Sequence, residues 1–301
     1  MERERYTVPV EGGDLAVARW GGGDVLAVAA HGITASHLAW AGVGEHVQRD
    51  LTLVAPDLRG RGDSHALPGP YGMAQHARDL LVVIDAAGAA RAIVVGHSMG
   101  GFVAAVFAGM FPERTAAVVM VDGGPAIGPP LPADADVDVV LSRVIGPALD
   151  RLDRRFASRE EYRAFWRRHP AFADSGADLA RLDAYADHDL HGPPGDLRSK
   201  VSADAVRADG RDTLLNDAMR RAVAEIAAPA VLLLAERGML DEETPLFPDG
   251  AVARLRTREG ALEVIRVPDT NHYTILAGDA GARAGAHHLR RFAAAVRSGG
   301  G

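Results

Sequence analysis

Six residues, Gly96-His97-Ser98-Met99-Gly100-Gly101, set one hydroxyl between glycines, directly after the apolar run 92–95 and before a helix-compatible stretch, 101–111, closed by Pro112. G-x-S-x-G between a strand and a helix is the pattern of a nucleophile turn. A chain reversing this abruptly strains its central residue and brings two backbones together, so side chains at 96 and 100 would collide while Ser98 stands exposed at the tip. The Met99 N–H, opening the helix, then points to where an oxyanion would form. A serine hydroxyl is a weak nucleophile near neutral pH, so a base must accept its proton, and histidine has the matching pKa. The chain holds 12 histidines and no cysteine. Thiolate nucleophiles, disulfide frameworks and Cys-type zinc sites are thereby excluded.

The elements that must hold such a turn are legible from hydrophobic period. The stretches 25–30, 51–55, 92–95 and 117–121 are short, nearly continuous apolar runs, suited to strands covered on both faces. Helical spacing over 75–87 and 101–111 separates them, and strand runs return at 231–235 and 262–267 before a final helix over 280–297. That alternation predicts an α/β fold with a mostly parallel, doubly wound sheet. Between 125 and 227 the strand pattern gives way to charged, Arg/Asp-rich sequence of helical period, with helices expected over 137–156 and 159–168. The expected organisation is therefore a core of 1–124 and 228–301 interrupted by a helical insertion, 125–227. At 301 residues and 48% hydrophobic, the chain can bury roughly 75% of its unfolded surface without staples. Its net charge of −7 has the wrong sign for a phosphate-binding surface, so no nucleic-acid partner is expected. The charged start, Met1-Glu2-Arg3-Glu4-Arg5, has no apolar region behind it, and no run approaches the roughly 18 residues that span a bilayer. No membrane association and a cytoplasmic location are expected.

With the elbow in its strand–turn–helix setting, the chain resembles the α/β-hydrolase superfamily over most of its length, as a serine esterase-like or lipase-like member with a helical cap. His31-Gly32-Ile33-Thr34 after the first apolar run is similar to that family's H-G loop, which implies a second oxyanion donor in the Ile33 N–H. Pro56-Asp57-Leu58-Arg59-Gly60-Arg61-Gly62-Asp63-Ser64 is similar to the family's D-x-R-G-x-G-x-S turn, a structural feature that ties loops together. The insertion falls where members carry a cap. Family order, serine then acid then histidine, implies His272 as the base, on the loop after the run 262–267. His287 and His288 fall on an expected helix, His169, His188 and His191 in the insertion, and His31 and His97 read as scaffold. Two acids compete: Asp122 ends the run 117–121, and Asp241 lies beyond 231–235, where the expected Gly-x-x-Asp turn is replaced by Glu236-Arg237-Gly238-Met239-Leu240-Asp241. Asp122 is favoured, because a carboxylate at a strand tip is held better than one in an acidic loop; Glu236 ranks third.

Trp40, Phe102, Trp166 and Tyr185 are the candidate walls of an apolar acyl site, with Phe165 and Tyr273 as further aromatic neighbours. The cluster His188-Asp189-Leu190-His191 invites a metal reading, but it sits by a Pro/Gly turn rather than on one helix face, so no metal and no cofactor are expected. The expected activity is hydrolysis of a small to medium, largely apolar carboxylic ester or lactone through an acyl-enzyme. The same groups serve C–C bond hydrolases, thioesterases and cofactor-free haloperoxidases or perhydrolases, and some proteins of this fold bind ligands without turnover. Serine at position 98 disfavours dehalogenase and epoxide hydrolase chemistry, whose members carry Asp there.

Overall fold

In the computed structural model, which describes residues 3–126, 130–132, 134–173, 177–258 and 262–299, the continuous apolar runs become strands buried on both faces. These are β3 (Leu26–Ala30), β4 (Thr52–Pro56), β5 (Ala92–His97) and β6 (Thr115–Val121). They are preceded by β1 (Glu4–Val10) and β2 (Gly13–Trp20) and followed by β9 (Ala230–Ala235) and β10 (Glu263–Val267). The eight lie in the order β1-β2-β4-β3-β5-β6-β9-β10, antiparallel from β1 to β4 and parallel from β4 to β10. Apolar-run reading misses the β1–β2 hairpin: at this margin of the sheet the strands are only partly buried, so their apolar residues are interrupted by Arg5, Thr7, Asp14 and Arg19.

Helices cover both faces. On one, α2 (Met73–Ala86) and α3 (Met99–Met110) pack Leu80, Val103 and Phe107 against Val28, Val94 and Val118. On the other, α1 (Ala41–Val47) and α11 (Asp279–Ser298) bury Val43, Leu289 and Phe292 against Val95, Val119 and Leu233. Among the described residues, no helix is long and apolar enough to cross a membrane.

The chain between β6 and β9 carries α4 (Val137–Asp150), α5 (Arg159–Arg167), α6 (Pro170–Ala173), α7 (Leu179–Asp189) and α8 (Ala203–Leu215), with a small ladder of β7 (Leu190–His191) and β8 (Arg198–Ser199). Asp136, Ser158, Asp178 and Ser202 cap four of the helices by accepting backbone N–H bonds. The single helix expected over 137–156 is shorter: α4 kinks at Ile145 (φ −127°), two residues before Pro147, and gives way to a tight turn over Arg151–Asp153. Proline withholds the N–H that would extend the ladder there. The insertion has an aromatic core of its own around Phe156, Tyr162, Trp166 and Phe172. It is fastened to the sheet by buried polar bonds, Arg151 Nη2 to Thr34 O (2.6 Å), His188 Nε2 to Asp57 (2.8 Å) and Arg61 Nη1 to Asp209 (2.5 Å). Beside these, α9 (Asp249–Arg258) packs on the last strand, and α10 (Thr274–Ala277), which begins two positions after His272, packs on α11.

Candidate active site

Between β5 and α3 the chain turns on one residue. Ser98 has φ 55° and ψ −120°, a conformation that costs of order 1–3 kcal/mol and persists only where packing over-determines it. Here the packing is backbone against backbone. A Cβ at Gly96 would lie 1.8 Å from Gly100 O, and one at Gly100 would lie 2.1 Å from Ala30 O. Gly123, which sequence reading passed over, closes the same contact from β6: its Cβ would come 2.2 Å from Ser98 O. The one available signal was its place beside Asp122 at a strand end, opposite the elbow.

The peptide joining Gly32 to Ile33 is held in place by its carbonyl. His31 Nδ1 (2.8 Å) and Ala35 N (3.1 Å) both donate to Gly32 O. His31 Nε2 accepts from Leu58 N (2.9 Å), so the ring is the neutral Nδ1–H tautomer. Because a trans peptide is planar, fixing C=O on one side aims the Ile33 N–H to the other. Arg61 Nε holds Ile33 O at 2.9 Å and fixes the following peptide. Among the described residues, neither the Ile33 N–H nor the Met99 N–H finds an acceptor in the protein, and both residues border cavities that open at Ser98.

Burial drives His31 down to about 3 and His97 well below its usual range. His97 Nε2 donates to the backbone carbonyl of His272 (2.8 Å), and the two rings lie 4.6 Å apart. This scaffold histidine therefore sets the position of the other. The neutral rings have a measurable cost in acid. An unfolded chain protonates His31 near its ordinary 6.5, while the folded chain does so only near 3, so the unfolded state binds the extra proton throughout that window and stability falls as pH falls. Between about pH 7 and 5, above the range where unfolded carboxylates titrate, His31 alone is expected to remove about 2 kcal/mol of unfolding free energy. Urea denaturation at the two pH values measures it; an equal or higher value at the lower pH would contradict a neutral His31.

His272 follows β10 and is nearly buried, and its Nδ1 lies 2.7 Å from Asp122 Oδ2. Asp122, fully buried at φ 44°, takes Ala235 N–H on its other oxygen at 3.1 Å and donates its own N–H to Leu233 O at 2.7 Å. Asp241 goes elsewhere: it pairs with Arg237 (2.9 Å) and accepts from Asn271 Nδ2 (3.0 Å). Glu236 accepts Asp269 N–H at 2.9 Å. Ser98, His97 and His272 border one cavity, and Ser98, Met99 and Asp122 border a second.

Of the four candidate wall residues, Tyr185 lines the first cavity and Phe102 the second. Trp40 and Trp166 line neither. Trp40 is fully buried under the sheet's α1–α11 face, and Trp166 is the centre of the insertion's aromatic core, with the Arg151 guanidinium 5.0 Å from its ring. A large flat side chain gains most by complete burial, so the aromatic signal marked core there. The residues of the His188–His191 cluster part company: Asp189 binds Arg151, Tyr162 and Ser199, His188 reaches Asp57, and the His191 ring lies tilted 5.2 Å from that of His65. Among the described residues, His37, Asp57 and His188 are the group whose ligating atoms could converge on an ion. Asp57 already accepts four bonds there, from His37 N, His37 Nδ1 and His188 Nε2 at 2.8 Å and Asp63 N at 2.9 Å. Burial opposes its charge, but His37 and His188 hold the carboxyl well below the usual range. This is a saturated joint between insertion and core, as the turn's resemblance implied.

A profile of the α/β-hydrolase fold matches residues 28–279, most of the chain. The chain belongs to the α/β-hydrolase fold family. This α/β-hydrolase is 31% identical over 178 residues to the lipase LipV of Mycobacterium tuberculosis, 59% of this chain and 62% of that one. It is 32% identical over 117 residues to the putative carbamate hydrolase RutD of Klebsiella pneumoniae, 38% of this chain and 44% of that one. It thus spans less than two thirds of the length of these curated relatives. Among solved structures, E-2-(acetamidomethylene)succinate hydrolase superposes with a TM-score of 0.79 at 20% identity, over 97% of this chain and 99% of the other. The thioesterase domain from the curacin biosynthetic pathway gives 0.73 at 20% identity, over 96% and 99%. At that identity the likeness is one of fold.

Proposed function

We propose that this α/β-hydrolase is a serine hydrolase that cleaves a largely apolar carboxylic ester or lactone through an acyl-enzyme. The observation that carries the reading is the 2.7 Å bond between the buried Asp122 and His272, which borders one cavity with a serine held at φ 55°. Ser98 Oγ attacks the carbonyl carbon as its proton passes to His272 Nε2. The new C–O bond forms, the carbonyl π pair moves to oxygen, and the Ile33 and Met99 N–H groups receive that charge. Collapse breaks the bond to the leaving oxygen, which takes the proton from His272; water then repeats the sequence and frees the acid. Asp122 holds Nδ1–H and stabilises the imidazolium. The segment 125–227 acts as a cap on a core formed by 1–124 and 228–301. The mechanism calls on no metal or cofactor.

A fluorophosphonate probe tests this directly. The expected result is one equivalent of label, mapped to the peptide bearing Ser98. Folded protein that takes no label would favour a ligand-binding member of the fold.

A further inference from the structure

Two cavities meet at Ser98, and they differ in size and in wall. The smaller, about 70 Å³, is bordered by His272, His97, Leu38, Tyr185 and Leu276. The larger, about 380 Å³, is bordered by Met99, Phe102, Leu141, Leu214, Met239 and Leu246. On this measure one water needs roughly 10–15 Å³, so the first holds a group of a few heavy atoms and the second a chain or ring. Ser98, Ile33 and Ile145 border both, and His272 borders the smaller one alone.

Chemistry assigns the limbs. Once a carbonyl carbon is bonded to Ser98 Oγ, three directions remain. The oxyanion faces the Ile33 and Met99 N–H groups. The leaving oxygen must face His272, because that ring returns its proton. The acyl chain takes what is left. Building on the acyl-enzyme reading above, we infer that the larger chamber receives the acyl limb and the smaller one the leaving alcohol, so that the substrate is an acyclic ester of a bulky apolar acid with a small alcohol. A small lactone fits poorly, since its ring ties both limbs to one side.

The charges agree with an uncharged small alcohol. Arg181, which also borders the smaller cavity, is paired with Glu45 (2.9 Å) and Asp178 (3.6 Å). In the larger chamber Asp122 is committed to His272 and Ala235, and the other polar wall residues are Thr213 and Arg220.

Two ester series test the assignment on the intact protein: ethyl esters of straight-chain acids from acetate to octanoate, and acetate esters of alcohols from methyl to octyl. In the first, kcat/KM is expected to rise roughly fourfold per methylene until the chamber is full. In the second it should fall beyond about three carbons. Leu214→Trp, which narrows the larger chamber, should lower the octanoate-to-acetate ratio at least tenfold while the octyl-to-ethyl alcohol ratio stays within about twofold. The wild-type series decide even if that variant fails to fold. Cleavage at Ser98 whose rate rises with alcohol length and is indifferent to acyl length overturns the assignment and leaves the acyl-enzyme reading standing. No cleavage in either series, together with no fluorophosphonate label, overturns both.

Discussion

Ser98→Ala is expected to lower kcat for a short-chain chromogenic ester by about 10⁶-fold, the scale seen when a serine nucleophile is removed from an otherwise intact site. What remains is attack by water on a carbonyl still polarised by the Ile33 and Met99 N–H groups, a residual on the order of 10³–10⁴ over the uncatalysed rate. The control is built into the residue. Alanine keeps a Cβ at φ 55°, so the strain of the elbow is unchanged, and the packing of Gly96, Gly100 and Gly123 around it loses only a hydroxyl. Melting temperature and far-UV circular dichroism should therefore match the parent while fluorophosphonate labelling disappears. Activity within tenfold of the parent in a well-folded variant would remove Ser98 from the mechanism.

The second expectation separates the two acids. Asp122→Asn should lower kcat about 10⁴-fold, and Asp241→Asn less than tenfold. The buried site allows the amide one orientation. Ala235 N–H lies 3.1 Å from one carboxylate oxygen and requires an acceptor, so the amide oxygen must stay there and the NH₂ must face His272. A donor at 2.7 Å from Nδ1 forces the imidazole into its Nε2–H tautomer, which has no lone pair to accept the Ser98 proton. Because Asn and Asp are nearly isosteric, the fold should survive. Asp241, about a third exposed, holds Arg237 and Asn271, and such a partly solvated pair contributes on the order of 0–1 kcal/mol. Steady-state rates of both variants on one ester decide; the opposite ranking moves the orienting role to Asp241.

Much of the arrangement is legible in the chain because it is local. Five-residue apolar runs mark buried parallel strands, and glycines either side of Ser98 mark a close backbone approach, since both patterns report contacts within a few residues or within one layer. The α11 helix and the order of strand and helix signals belong to the same class. The β1–β2 hairpin escapes because strands at the margin of the sheet are only partly buried, and the α4 boundary escapes because a kink depends on how a proline-broken helix packs.

By itself, the amino-acid sequence determined the strained serine turn, the alternation that builds a parallel sheet, and a histidine on the loop after the last strand. Tertiary structure alone decided which carboxylate meets that histidine. Asp122 and Asp241 both follow apolar strands, and only the side-by-side placement of β6 and β9 brings Asp122 within 2.7 Å of a ring 150 residues away while Asp241 turns to Arg237. The same reason separates Trp40 and Trp166 from Phe102 and Tyr185. Residue type states how much surface a side chain must bury, and the packing of distant elements states against what.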